Sequence, residues 1–463
     1  IKQGRKLEAE IEEEAMEELS NNTELGVKFI AVTGFEDELQ DDVGLTLSRL
    51  RMANIKVWML TGDKLSTALN IGKTTELISI RDKIVTLDYY DCSNNFEKLR
   101  NIKNFGKTVL CLEGSTFGAL LNSEDLINEF HKYSSLCSGV IIARCEPSQK
   151  GNVVRSFKNF DKKSSVLAIG DGANDVDMIR AADVGIGVEG KEGSEAVMSS
   201  DFSIPSFHHI ASLLIVHGRW CVNRVSLLIG LTLYKTAIIG ILQIFYGFFN
   251  GFSATSTFDS AYLTVYNLLL TIPQLFFICV LEQNLSARYA LAVPHIYQET
   301  QKTGGLSAKG LIEFYTLAIL HAAMIFFYSY LESNKVILNI KGTTFDYALF
   351  TQITGWTLLF VFTFTLLTRF RTITIIHILL YVACVLIYIL IELIYSYTNQ
   401  MFYAVVPILF STPRVWFTIP ICVGACLIID LVLIYFRNLF SKSLSNAVAE
   451  LEYVEEKGNA YLF

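Results

Sequence analysis

Asp171 and Asp175 stand four residues apart around a glycine-rich turn, Gly170-Asp171-Gly172-Ala173-Asn174-Asp175, directly after the apolar run 166–169. Two carboxylates and the Asn174 amide at the end of a buried strand suit Mg²⁺, which takes a couple of carboxylates and leaves its other positions to phosphate and water. A second apolar run, 57–60, ends in Thr61-Gly62-Asp63-Lys64. A hydroxyl and backbone amides at such a strand-to-helix turn can hold phosphoryl oxygens. Between them in sequence lies Lys150, in Glu146-Pro147-Ser148-Gln149-Lys150 at the start of an expected helix, where an ammonium can neutralise a phosphoryl group in transfer. Singly, Gly-Asp-Gly reads as a turn and Lys150 as a surface lysine. Three separate strands ending in phosphate chemistry, in this order, point instead to one phosphoryl-transfer site. Gly72-Lys73-Thr74 adds nothing to it, because a phosphate-binding P-loop needs a glycine where Thr67 stands, so no Walker-type NTPase is expected.

The elements that must position these groups alternate. β-Branched runs at 27–32, 57–60, 109–112, 140–143 and 166–169 are separated by helical patterns, including one before Asn54 and one over 66–77. This predicts an α/β domain with a mostly parallel, Rossmann-like sheet, and such sheets bind ligands at the carboxyl ends of their strands. Ahead of it, the Glu-rich stretch 7–22 reads as a solvated helical face or linker.

Of the 83 charged residues, 57 lie in residues 1–207, and the remaining 256 residues hold only 26. One half is therefore soluble and the other belongs in lipid. The soluble half carries 24 basic and 33 acidic residues, which argues against nucleic acid as a partner. Nine cysteines without a C-x-x-C pair give neither a zinc signature nor a disulfide framework, so reduced thiols are expected. Six apolar stretches, at about 225–249, 260–281, 310–331, 347–368, 373–397 and 415–436, each meet the ~20 residues needed to cross hydrocarbon. An even number of spans leaves both ends on one side. Loops on that side carry Arg288, Lys302, Lys309, Arg369, Arg371, Arg437 and Lys442, against Lys335, Lys341 and Arg414 opposite, so the α/β domain is expected to face the cytoplasm. The sequence opens at Ile1 without Met or signal peptide, and the expectation is a carboxyl-terminal half of a longer polypeptide.

The strings TGDKLSTALNIGKTTELI, ARCEPSQKGNVVRSFK and AIGDGANDVDMIRAADVGIGVEGKEGSEAVMSSDFSI resemble the phosphorylation domain of P-type ATPases. The run Gly-Val-Glu-Gly-Lys-Glu-Gly, the segment VHGRWCVNR, and YGFFNGFSATSTFD and VYNLLLTIPQL in the first two spans are similar to the type IV subfamily, the phospholipid flippases. The resemblance implies a haloacid-dehalogenase-type domain that uses ATP and Mg²⁺ to form and hydrolyse a phosphoaspartate, followed by a six-span bundle. By motif match it assigns Asp171 to Mg²⁺ with Asn174 and Asp175 in support, Thr61 and Gly62 to the phosphoryl group with Asp63 beside them, and Lys150 to its charge. Glu36-Asp37-Glu38-Leu39-Gln40 matches the acidic stretch opening this part of the domain. The nucleophile motif Asp-Lys-Thr-Gly-Thr occurs nowhere in the 463 residues. This chain alone is therefore expected to be inactive, because nucleophilic catalysis needs that carboxylate.

The implied organisation is the end of a nucleotide-binding domain and linker at 1–26, a phosphorylation domain at 27–207, a membrane domain at 208–437 and a cytoplasmic tail at 438–463. The implied function is ATP-driven movement of phospholipid from the exoplasmic to the cytoplasmic leaflet, in the plasma membrane or Golgi and endosomal membranes, with a two-span accessory glycoprotein as partner. A P-type cation pump is the weaker alternative, because no acid lies between Arg224 and Asp259, or from there to Glu282. A non-catalytic flippase-like regulatory module is the other. Lys235 is the one charge deep in the first span, and in resembling flippases a Lys here is implicated in lipid transport. Asn267, with the helix-interrupting Pro273, is assigned with it to the substrate path. Glu392 and Asp430 are expected to make interhelical hydrogen bonds. The ending from Gly458 to Phe463 weakly resembles an autoinhibitory tail motif.

Overall fold

The structure, a computed structural model, describes residues 39–88, 97, 99–100, 102, 104–190, 193–303, 306–333, 347–398, 405–440 and 442–460, the last five without side chains. The chain divides into two units, Ile1–Asp41 and Asp42–Phe463, and every element below belongs to the second. The Glu-rich stretch, the expected strand at 27–32, Glu36 to Glu38 and residues 461–463 lie outside the described residues.

The α/β part begins with α1 (Val43–Met52) and β1 (Val57–Leu60), then α2 (Leu65–Thr74), β2 (Lys83–Leu87), β3 (Thr108–Glu113), α3 (Gly114–Leu121), α4 (Glu124–Ser134) and β4 (Gly139–Ala143). It continues through α5 (Pro147–Phe160), β5 (Leu167–Gly170), α6 (Val176–Ala181), β6 (Val184–Val188), α7 (Glu195–Met198) and β7 (Phe202–Ile204). Among the described residues every strand pairing is parallel, in two ladders ordered β1-β4-β3-β2 and β5-β6-β7. Strand sequence explains the placement: β4 is Gly-Val-Ile-Ile-Ala and buried throughout, the uninterrupted apolar run of a strand covered on both faces. Among the described residues no ladder joins β1 to β5, yet Met59, Ile141, Leu167 and Ile186 pack in one core. The parallel α/β architecture expected from the alternation is present. β2, β6 and β7 were not foreseen; β6 is Val-Gly-Ile-Gly-Val, whose two glycines hide its strand character.

Among the described residues six helices are long and apolar enough to cross a membrane: α8 (His209–Phe249), α9 (Ser260–Leu281), α12 (Ala308–Ser333), α13 (Tyr347–Arg369), α14 (Ile375–Thr398) and α16 (Pro413–Phe440). Between them lie α10 (Ala287–Ala292), α11 (Tyr297–Thr303) and α15 (Val405–Ser411), and α17 (Leu444–Ala460) follows the last span. In α13 the most apolar stretch is 83% buried by protein, against 39% or less in the others, so α13 is the central helix of the bundle. Several polar groups inside the bundle pair with one another, as hydrocarbon favours. Asp430 accepts from the Thr365 hydroxyl at 2.9 Å, Glu392 accepts from the Gln352 amide, and the Tyr234 hydroxyl meets His321 Nδ1 at 2.7 Å. Glu392 and Asp430 thus make the interhelical bonds expected of them.

Candidate phosphoryl-transfer site

β1 delivers Thr61, Gly62 and Asp63 at its carboxyl end. The Thr61 hydroxyl donates to Asp63 Oδ2 at 3.0 Å and accepts from the Asp63 amide at 3.1 Å, closing a tight turn on itself. The turn is pinned to the loop after β4: Cys145 N–H donates to Thr61 O and Arg144 N–H to Asp63 O, each at 2.9 Å. Gly62 is exposed, leaving its backbone open to a ligand.

The same loop launches α5. Glu146 and Gln149 form a reciprocal capping box around Pro147 at the first helical position, which fixes where the helix begins and so where Lys150 emerges. Lys150 Nζ donates to Asp175 Oδ1 at 2.8 Å, and both side chains are nearly buried, at 12% and 13% exposure. A pair this desolvated needs good geometry to offset the loss of water, and a direct contact at this distance supplies it. Asp175 in turn lies against the end of β5, where a Cβ on Gly170 would fall 2.3 Å from that of Asp175, so only glycine fits there. Contacts thus run unbroken from the end of β1, through Cys145 and Lys150, to the end of β5.

Asp171, next along the chain, is exposed and its carboxylate makes no hydrogen bond or ion pair with any described residue. An unspent carboxylate beside a lysine-held one fits a Mg²⁺ site, with Asp171 as the available ligand and Asp175 oriented by Lys150. Asn174 is likewise exposed. Gly190 closes one side, since a Cβ there would lie 3.4 Å from that of Asp171. Cys145 is not a competing nucleophile: burial pushes its thiol up to about 11, although Lys150 pulls the other way, so it stays protonated near neutrality. Arg144, Cys145 and Gly190 were not singled out from the sequence, because their contributions are backbone hydrogen bonds and close approach.

In the membrane, Lys235 is 6% exposed and donates to the Thr271 hydroxyl at 2.8 Å. That hydroxyl sits at the end of a π-helical turn, Tyr266–Thr271, and bonds Tyr266 O at 2.9 Å. Asn267 does not meet Lys235; its amide donates to Leu263 O at 2.9 Å and its side chain is exposed. Pro273 stands at the start of the α-helical turns after the π-segment, so α9 is rewound rather than broken.

Residues 197–443 match the family model described as phospholipid-translocating P-type ATPase C-terminal, and residues 2–183 match haloacid dehalogenase-like hydrolase. The chain is 36% identical over 319 residues to mouse (Mus musculus) "Phospholipid-transporting ATPase VD", covering 63% of this chain and 22% of that protein. It is 34% identical over 391 residues to the protein of the same name from Macaca fascicularis, covering 83% and 58%, and 32% identical over 433 residues to human (Homo sapiens) "Phospholipid-transporting ATPase VB", covering 85% and 29%. The chain therefore spans between 22% and 58% of the length of these relatives. With six helices able to cross a membrane, it is a multi-pass membrane protein. On the match that covers more than half its length, joined to a haloacid-dehalogenase-like domain, this chain belongs to the phospholipid-translocating P-type ATPases.

Proposed function

We propose that this chain supplies the phosphorylation domain and the last six spans of an ATP-driven phospholipid flippase, moving lipid from the exoplasmic to the cytoplasmic leaflet. What carries the reading is the Lys150–Asp175 pair, which ties the Thr61 turn to the Asp171 turn across two separate ladders. Thr61 and the exposed Gly62 backbone bind the phosphoryl oxygens; to donate to them the Thr61 hydroxyl turns away from Asp63. Lys150 places positive charge where phosphoryl charge develops while keeping Asp175 in position. Asp171, with Asp175 behind it and Asn174 beside the turn, holds Mg²⁺, which when bound neutralises phosphate oxygens of ATP and the acyl phosphate. The phosphorylated aspartate comes from polypeptide other than these 463 residues, since they contain no Asp-Lys-Thr-Gly-Thr. Lys235 and Asn267 flank the lipid path. Residence in the plasma membrane or Golgi and endosomal membranes, and a two-span accessory glycoprotein, belong to the same reading.

The test is the complete protein in liposomes. Wild type should form a Mg²⁺-dependent, hydroxylamine-sensitive phosphoenzyme and move labelled phospholipid on adding ATP. Asp171→Asn should lose both by at least ~100-fold, with its thermal unfolding little changed, because an exposed ligand is removed rather than core packing. A wild-type protein that moves no lipid with ATP overturns the proposal in favour of a non-catalytic module, and normal phosphorylation of Asp171→Asn overturns the metal assignment.

A further inference from the structure

At the end of the bundle opposite the α/β domain, α9, α13 and α14 enclose a small cavity of about 30 Å³, lined by Asp259, Thr351, Gln352, Tyr388, Glu392 and Tyr395 among others. Roughly 10–15 Å³ suffices for one water, so the space takes two or three atoms of that size. Its polar lining is mostly acceptor, with the Tyr388 hydroxyl as a donor beside Glu392. Glu392, 5% exposed, lies six residues before the end of α14, about 9 Å inside it at ~1.5 Å per residue. The amide of Gln352 is spent on Glu392 at 2.5 Å, leaving Gln352 Oε1 buried without a hydrogen bond. The Thr351 hydroxyl gives its proton to Tyr347 O at 3.0 Å and keeps its lone pairs. At the mouth Asp259 accepts from the Tyr395 hydroxyl. The Tyr388 hydroxyl, 1% exposed, makes no hydrogen bond of normal geometry.

Among the described residues no lysine or arginine pairs with Glu392 or Asp259. A carboxylate this buried beside an unpaired carbonyl oxygen lacks positive charge, and its isolation in hydrocarbon is costly. We infer that the cavity binds one small, largely dehydrated monovalent cation of Na⁺ or K⁺ type, held by Glu392, Gln352 Oε1 and Thr351, with Asp259 and Tyr395 at its mouth. One buried carboxylate balances one charge. Mg²⁺ keeps several waters that this volume does not admit, and Ca²⁺ takes six to eight oxygens. The site lies on the face of α9 turned toward α13 and α14, whereas the Asn267 side chain is exposed, so it is a structural cation site beside the proposed lipid path and does not depend on lipid transport.

The experiment reads stability, not activity. The full chain in lipid nanodiscs is brought into N-methylglucamine chloride, and thermal unfolding is followed as NaCl or KCl replaces it at constant ionic strength. A saturable rise of about 2–4 °C with at least one of the two is expected, since a ligand that binds only the folded state stabilises it. Glu392→Gln should abolish the saturable rise, and Gln352→Met should weaken apparent cation affinity at least tenfold. If Glu392→Gln does not fold, the wild-type titration and Gln352→Met decide. A flat wild-type titration, the same rise in Glu392→Gln, or stabilisation by Ca²⁺ alone overturns the proposal; the first would leave a protonated Glu392 with water in the cavity.

Discussion

His131 is fully buried, stacked on Trp58 with ring centroids 6.2 Å apart, and its Nε2 meets the Ser156 hydroxyl at 3.0 Å. Burial lowers its pKa from the ordinary 6.5 to about 4, so the folded domain keeps it neutral where the unfolded chain would protonate it. The unfolded state then binds more protons between those values. The stabilisation is complete above about pH 6.5 and drains away as the pH falls toward 4. Between pH 7 and 5 the α/β domain should lose roughly 2 kcal/mol from this group. Urea unfolding followed through Trp58 fluorescence measures it. His131→Gln, with no proton to take up, should flatten that part of the pH profile, and an unchanged slope would assign the acid sensitivity elsewhere. Lys150 illustrates a different residue-level logic, because its neighbour Asp175 fixes where its charge sits before any phosphate arrives.

Two devices at the level of elements aim the functional side chains. In the α/β domain, the capping box around Pro147 starts α5 at a fixed point, so Lys150 emerges facing Asp175. In the membrane, the π-turn Tyr266–Thr271 carries the Thr271 hydroxyl toward α8, where it accepts from the Lys235 ammonium. A Lys halfway along a span is farther from either interface than its side chain reaches, so it requires such a partner. Lys235→Ala in the complete protein should slow lipid-stimulated dephosphorylation and flipping at least several-fold while leaving phosphorylation by ATP near normal. Thr271→Val keeps the shape and deletes the acceptor; it should impair the same step, less severely. Parallel assays of phosphoenzyme formation and decay separate the two steps. Normal flipping by Lys235→Ala would reduce that residue to a tolerated structural charge.

Across the molecule, α17 straps the last span to the connections beneath the bundle. Glu452, 5% exposed, accepts from Arg371 at 2.9 Å and from the Ser286 amide at 3.2 Å. Val448 packs with Val216, Leu285, Ala290 and Ile296, while Arg219 near the base of α8 donates to Ser445 at 3.1 Å. Because α8 runs from the α/β domain into the membrane, a strap at its base resists relative movement of the two. Removing residues 451–463 takes away Glu452 and leaves Arg371 without its carboxylate partner, holding only the Asn284 and Ala449 carbonyl oxygens. ATPase activity of the complete protein should then rise, and Glu452→Ala should reproduce part of the rise without truncation. Unchanged activity in both would make α17 a passive support.

Periodicity and composition alone determined much of this. The parallel α/β class and six spans were legible, because strands buried on both faces and helices in lipid both write themselves as local apolar runs. Thr61, Lys150, Asp171 and Asp175 stood out as candidates for the same local reason, each following its run at a turn. Tertiary structure alone decided who meets whom. It gave Asp175 to Lys150 while leaving Asp171 unspent, and it closed the Thr61 turn with backbone groups of Arg144 and Cys145. It also paired Lys235 with Thr271 rather than Asn267, since an i→i+5 turn rotates every later side chain and no residue pattern announces it. Glu392 and Gln352, 40 positions apart, share a cavity only because α13 and α14 pack side by side. Local chemistry is encoded by nearest neighbours in the chain, whereas pairing depends on distances that exist only once the helices and strands have packed.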